Sequence, residues 1–406
     1  MPPTALGAPA RRLARVLLAY AFLDEFVLLY PLYTLLFAHT GLTTAQISSL
    51  LVIWSLTSVV LEVPSGALAD VTSRKALLAA APVVGAAGFA LWVLAPSYAA
   101  FAAGFVLWGA KGALVSGALE ALVYEELDRS GAADAFATVL GRAHAVGTAG
   151  VVAATALAAP VVAAWGYTGV GAASVAAGVA GGLVGLALPE HRTGRAEPTL
   201  DAGEPGYVAT LVAGLREARR DVRVRRLVVL AAGVAAVWGA LEEYTPLVAV
   251  AAGAPVAAVP WWEVVLWSGV AAGSLVAGRL AGIAPRALAV GLVLAALAVG
   301  VGAGSGRVGG LVLVAVGFGA FQAADVVVGA WLQDAVSGAA RATVTSVAAL
   351  GAELVAVLVY TLDGALAGRV GDGAAMALLA GLYLPVALVA WRATVAPPLI
   401  RATLDR

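Results

Sequence analysis

Residues 62–75 read EVPSGALADVTSRK, with Glu62, Asp70, Arg74 and Lys75 gathered between the apolar runs LLVIWSLTSVVL and ALLAAAPVVGAAGFALWVL. Neither flanking run alternates polar and apolar residues as a half-buried strand would. The second, of 19 residues, approaches the roughly 20 that an α-helix needs to cross a bilayer, and the first, of 12, is part of a longer apolar span that starts near residue 43. The charged stretch therefore reads as a turn between two membrane-spanning helices. The whole chain agrees: of its 406 residues 62% are hydrophobic and 12% charged, against about 45–50% and 25% in soluble domains.

Extending the same reading predicts twelve helices, over 14–37, 43–69, 76–95, 98–124, 136–161, 167–188, 225–251, 260–281, 286–304, 308–333, 342–366 and 374–396. A signal peptide around VLLAYAFL is not expected. Its apolar run is too short ahead of AYA, and apolar character resumes after Asp24 and Glu25. With the N-terminus inside the cell, 21 basic residues fall on the inner side, 2 (Arg307 and Arg369) on the outer side, and Lys111 lies within a helix. That asymmetry predicts cytoplasmic termini. The spans group as an N-terminal bundle over 1–188 and a C-terminal bundle over 225–406, joined by a linker over 189–224. In the linker, Val208, Leu211, Val212, Leu215 and Val222 share one helical face beside Arg216, Arg219, Arg220 and Arg223. This suits either an amphipathic helix on the inner leaflet or a solvated basic linker.

Several chemistries are excluded. Net charge is zero, which gives nucleic acid no basic surface, and there is no cysteine for disulfides or thiol chemistry. The three histidines (His39, His144, His191) are scattered and show no metal-ligand spacing. No phosphate-binding glycine loop and no nucleophile–base constellation is present. We expect no enzyme activity, no metal and no cofactor.

The opening stretch has an internal echo. Gly66, Leu68, Ala69 and Arg74 recur as Gly278, Leu280, Ala281 and Arg286, with Leu77 matched one residue early by Leu288. LDRSGAADAFATVLGRAHAVG is echoed by LQDAVSGAARATVTSVAALG, each between the fourth and fifth helices of its half. Two six-helix halves in parallel repeat are a transporter architecture.

GALADVTSRK resembles the loop between helices 2 and 3 of the major facilitator superfamily, roughly G-x-L-a-D-r-x-g-r-K. Gly66, Leu68, Asp70, Arg74 and Lys75 match, while Val71 and Ser73 depart from the usual Arg and Gly. EVPSGALAD together with SGALEALVYEEL further resembles a bacterial branch of drug or metabolite exporters. The Gly-Pro-x-x-Gly-Gly pattern frequent in antiporters of that superfamily is missing from GRAHAVGTAGVVAATALAAP. The resemblance implies an all-α fold of twelve transmembrane helices in two six-helix bundles. It also implies a cytoplasmic latch built from Gly66, Asp70, Arg74 and Lys75, with Asp70 against the N-terminus of helix 11 near Arg341. An alternative for Arg74 and Lys75 is that they only anchor topology.

Charges inside the predicted helices are functional candidates, because each costs at least about 2.5–3.5 kcal/mol at bilayer depth. Nine acids (Asp24, Glu25, Glu62, Glu120, Glu242, Glu243, Asp325, Glu353 and Asp363) face one base, Lys111. Burial favours a protonated carboxyl and a nearby cation favours its ionised form, so a carboxyl alternating between them carries protons. Asp24 and Glu25 lie about 13–15 Å above Arg15 by helical rise, near the middle of the membrane. Lys111 and Glu120 lie about 180° apart on helix 4. We expect Lys111 to face the cavity and pair with Asp24 or Glu25, and Glu120 to brace helix packing. Glu62 is expected as a structural partner near the inner gate. Asp325 and Glu353 offer sites in the second half, and Glu242 and Glu243 guard the outer mouth. Tyr30 and Trp108 lie deep enough to touch an amphiphile, with membrane packing as the alternative.

Together these readings predict a monomeric secondary active transporter of the inner (plasma) membrane. Its partners are a small-molecule substrate, protons and the lipid bilayer, with proton-coupled export of small amphiphilic cationic or neutral compounds by alternating access. Two alternatives stay open: uptake or exchange of a small polar or anionic metabolite, with Lys111 reading a negative group, and a non-transporting membrane receptor or scaffold.

Overall fold

The computed structural model describes residues 6–191, 221–336 and 341–393, and among these every regular element is a helix. The amphipathic stretch expected in the linker lies almost wholly outside the described residues. The described residues form two compact units. One holds 6–191 with 255–264; the other holds 221–254 with the residues from 265 onward.

The first unit contains α1 (Ala8–Glu25), α2 (Tyr33–His39), α3 (Thr44–Val71), α4 (Arg74–Leu94), α5 (Tyr98–Arg129) and α6 (Phe136–Gly185). Side chains at the turns set the helix starts. Thr43 and Gln46 form a reciprocal capping box at α3, and Ser73 and Ser97 accept from the Ala76 and Ala100 N–H groups at α4 and α5. The 50-residue α6 is two spans joined at Gly166, whose φ of 59° only glycine adopts cheaply. Gly150 and Gly181, on either side of that kink, both approach α1, at Phe22 and Leu23. The helix therefore folds back on itself.

The second unit contains α7 (Val222–Glu242), α8 (Thr245–Ala251), α9 (Val259–Ala277, from residue 265 on), α10 (Pro285–Gly304), α11 (Leu311–Ala335), α12 (Arg341–Val370), α13 (Asp372–Ala380) and α14 (Tyr383–Trp391). The repeat read from the sequence is visible in the backbone. Tyr33 opens α2 and Thr245 opens α8, 212 residues on, the same offset as from Gly66 to Gly278. Each short helix has seven residues and is followed by a glycine at positive φ, Gly41 at 96° and Gly253 at 97°.

Ten described helical stretches are long and apolar enough to cross a membrane. One of them, Ala133–Gly185, supplies two spans by folding at Gly166, and α1 with α2 supplies a further one. The described residues thus form an all-α multi-pass membrane protein with twelve spans, the number expected. Three spans expected to be continuous are broken: 14–37 between α1 and α2, 225–251 at Glu243–Tyr244, and 374–396 at Gly381–Leu382. Each break lies beside a proline (Pro31, Pro246 or Pro385), which removes a backbone donor.

Candidate functional site

A break in a membrane helix frees backbone groups that lipid cannot satisfy, so other helices must supply partners. At the first break, the Leu29 N–H donates to Ser174 Oγ at 3.1 Å, and the Lys111 ammonium donates to the Asp24 carbonyl oxygen at 3.0 Å. Lys111 thus caps the C-terminal end of α1, where the helix dipole favours a cation. The same ammonium stands 2.9 Å from Asp24 Oδ1, the two side chains being 8% and 11% exposed. The sequence left Asp24 and Glu25 as alternative partners for Lys111; the structure selects Asp24. Glu25 lies within the electrostatic reach of the same ammonium and takes a hydrogen bond from the Tyr30 hydroxyl.

Glycines make room for this cluster. A Cβ on Gly85 of α4 would lie 2.9 Å from Lys111 Cδ, and one on Gly147 of α6 would lie 3.3 Å from Glu25 Cγ. Around the charges is a cavity of about 420 Å³, lined by Asp24, Glu25, Tyr30, Trp108, Lys111 and His144 among others. One wall is aromatic. Tyr30 and Trp54 both stack on Trp108, with centroids 5.3 and 5.0 Å away and planes tilted by 13° and 22°. Glu120 also lines the cavity and is exposed. This corrects the expectation that it braces helix packing: the cavity is wide enough to reach both sides of α5.

The second unit gathers its acids elsewhere. Glu242 ends α7 and Glu243 follows it, at the break. With Glu353 of α12 they lie close enough to act electrostatically on the buried Tyr360 hydroxyl. Before its break, α7 also takes a distant side chain into its own backbone. Tyr383 enters the turn of α7, accepting from the Trp238 N–H at 3.2 Å and donating to the Val234 carbonyl at 2.8 Å. That insertion replaces one i→i−4 bond. Asp325 of α11 acts electrostatically on the same Tyr383 hydroxyl. Asp363 is fully buried near Asp372, and Glu263 of α9 is buried as well. Glu263 lies inside the span expected over 260–281 yet is absent from the nine acids named from the sequence, although its position alone could have found it.

The basic turn that opened the sequence reading is tied down within its own unit. The Ser73 hydroxyl hydrogen-bonds Glu190, the Arg74 N–H donates to Glu190 Oε1 at 2.8 Å, and the Arg74 guanidinium pairs with Glu125. Glu126 holds the start of the linker, accepting from the His191 N–H at 2.7 Å and meeting His191 Nδ1 at 2.9 Å. Lys75 has no ion-pair partner among the described residues. Gly66 and Asp70 lie in α3. The side chains of Asp70 and Arg341, on which the latch to helix 11 depends, lie outside the described residues. Glu62 is exposed.

The sequence profile of the Major Facilitator Superfamily matches residues 16–301. No curated protein sequence matches this chain. Among solved structures, a mutant of the nucleoside transporter NupG superposes with a TM-score of 0.76 at 15% identity, covering 93% of this chain and 98% of that one. The D-xylose–proton symporter gives 0.65 at 16% identity, covering 96% and 98%. A bacterial homologue of the human lysosomal transporter Spinster, inward-facing and unoccupied, gives 0.65 at 17% identity, covering 94% and 95%. At such identities the likeness is one of fold.

Proposed function

The chain belongs to the Major Facilitator Superfamily, a family of membrane transporters, and on that premise we propose that it exports small amphiphilic compounds, cationic or neutral, in exchange for protons. Both termini are cytoplasmic in this reading, and the protein works as a monomer in the inner (plasma) membrane by alternating access. One observation carries the substrate charge. The only ammonium lining the first-unit cavity is held by Asp24 through both its carboxylate and its carbonyl. Lys111 is thereby paired, and Asp24, Glu25 and Glu120 leave the cavity with three carboxyl groups to one ammonium. A cation beside the Tyr30–Trp108 wall meets both a carboxylate and aromatic faces, a pairing that gains further once water is excluded. Protons and a cationic substrate then compete for Glu25, which couples their movements.

A second reading is uptake or exchange of a small polar or anionic metabolite. It is favoured by the D-xylose–proton symporter among the structural neighbours, where solute and proton move together. The roles of Asp325 and Glu353 as proton sites, of Glu242 and Glu243 as an outer mouth, and of Asp70 as a latch belong to the same proposal.

The test is ligand-induced stabilisation of the purified chain across cationic, neutral and anionic amphiphiles. Cations should raise the melting temperature, and Glu25→Gln should abolish that rise while leaving neutral compounds effective. Stabilisation by anions alone, lost in Lys111→Met, would replace the export reading with the metabolite one.

A further inference from the structure

At the end of the second unit where basic residues gather, α7, α10 and α14 enclose a second cavity, of about 510 Å³, lined by Arg226, Pro285, Arg286, Trp391 and Arg392 with Ala284 and Ala393. Three arginines converge there without a counter-charge. Among the described residues none of them has a carboxylate within ion-pairing distance. Asp221, the acid nearest on α7, is committed to the Arg223 N–H at 2.7 Å. Two of the three are held in place. Arg226 Nη1 donates to the Arg392 carbonyl at 3.0 Å, and the Arg286 guanidinium stands 5.4 Å over the Trp391 ring.

The first unit shows what the matching place takes. Arg74 is the counterpart of Arg286, 212 residues earlier, and each begins or nearly begins the third helix of its half. In the first unit a carboxylate of the chain itself, Glu190, sits at that helix start and accepts from Ser73 and Arg74. In the second unit Ala284 and Pro285 replace Thr72 and Ser73, the donor hydroxyl is gone, and arginines surround the position. Among the described residues the second half thus keeps the positive site without an internal anion.

The surroundings identify the anion. Below the arginines, Val290, Leu294, Leu297 and Val301 form an exposed apolar stripe on α10, and Leu384, Leu388 and Trp391 form another on α14, with Leu294 61% and Leu388 49% exposed. In a membrane protein such stripes face acyl chains, and tryptophan settles at headgroup level. Basic pockets between transmembrane helices at this depth suit lipid headgroups. We propose that this cavity binds the phosphodiester headgroup of an anionic phospholipid, with Arg226, Arg286 and Arg392 on the phosphate and the acyl chains along the α10 and α14 stripes.

The proposal is tested by native mass spectrometry of the delipidated full chain in neutral detergent, titrated with phosphatidylglycerol or phosphatidylcholine. Wild type should retain phosphatidylglycerol at least about tenfold better, as expected where guanidinium–phosphate bonds are charge-assisted. Arg226→Gln/Arg392→Gln should reduce it to the phosphatidylcholine level, and Arg226→Lys/Arg392→Lys should fall between. Equal retention of the two lipids by wild type would overturn the assignment whether or not the variants fold. So would unchanged retention in the glutamine variant, or displacement of phosphatidylglycerol by millimolar inorganic phosphate, which would mark a free-anion site.

Discussion

Lys111 and Asp24 should behave as a unit, and a double-mutant cycle measures it. At 2.9 Å and an effective dielectric constant of about 20, their gross attraction is roughly 6 kcal/mol. Much of that offsets desolvation, because both side chains are nearly buried. Removing one partner is another matter: it strands the other charge and typically costs about 3–5 kcal/mol. Asp24→Asn leaves the ammonium with only the Asp24 carbonyl, and Lys111→Met strands the carboxylate and uncaps the end of α1. Each single variant should therefore melt well below wild type in detergent, by about 6–20 °C on the scale of soluble domains. Asp24→Asn/Lys111→Met removes both charges and should recover to within about 1 kcal/mol of wild type, since replacing a whole buried pair is often near neutral. The assay is thermal unfolding of purified protein followed by fluorescence, with the coupling energy taken from the cycle. Losses that simply add, with the double variant worst, would refute the pairing.

Three further outcomes follow from the packing around that site. Gly150→Val should destabilise by about 1–3 kcal/mol, because even a Cβ there would lie 2.6 Å from the Phe22 carbonyl oxygen; a lower melting temperature checks it, and an unchanged one would contradict the close approach of α6 to α1. Glu190→Gln should cost about 0.5–2 kcal/mol, the range for a lost helix cap, and should speed amide exchange at Arg74, whose N–H donates to Glu190. Tyr30→Phe removes the hydroxyl bonded to Glu25 and should weaken cation binding by roughly 10- to 150-fold, the range for a hydrogen bond to a charged group; binding isotherms decide it, and unchanged affinity would take Glu25 out of the binding site.

The fold was legible because a lipid environment writes itself into composition. Runs of about 20 apolar residues, the basic asymmetry and the 212-residue echo need no knowledge of packing. The breaks were not legible, although each sits beside a proline. Pro64 and Pro82 lie inside unbroken α3 and α4, and Pro160 lies inside the first span of α6, ahead of its kink at Gly166. What distinguishes the first break is the partners that meet it, Ser174 and Lys111. Those partners come from distant parts of the chain, which periodicity does not report.

The site was half legible for the same reason. A lone lysine among intramembrane acids stands out by cost alone, so Lys111, Asp24 and Glu25 could be named in advance. Helical angles then separated Glu120 from Lys111, but an angle says nothing of how far a cavity extends, and Glu120 lines the same one. In the sequence the turn at Arg74 resembles a basic latch. Its partners, Glu125 and Glu190, lie 51 and 116 residues away in sequence and meet it only through packing within the first unit. Gly85 and Gly147 carried no signal among 48 glycines, since their role is the space they leave for Lys111 and Glu25.

Proton movement in proteoliposomes tests the central claim most directly. The purified chain is reconstituted with a pH-sensitive dye inside, a pH gradient is imposed, and cationic, neutral and anionic amphiphiles are added in turn. Cationic or neutral compounds should trigger proton flux opposite to their own movement, and Asp24→Asn/Glu25→Gln should abolish it. Substrate moving with no proton flux, or proton and substrate moving in the same direction, would contradict proton-driven export.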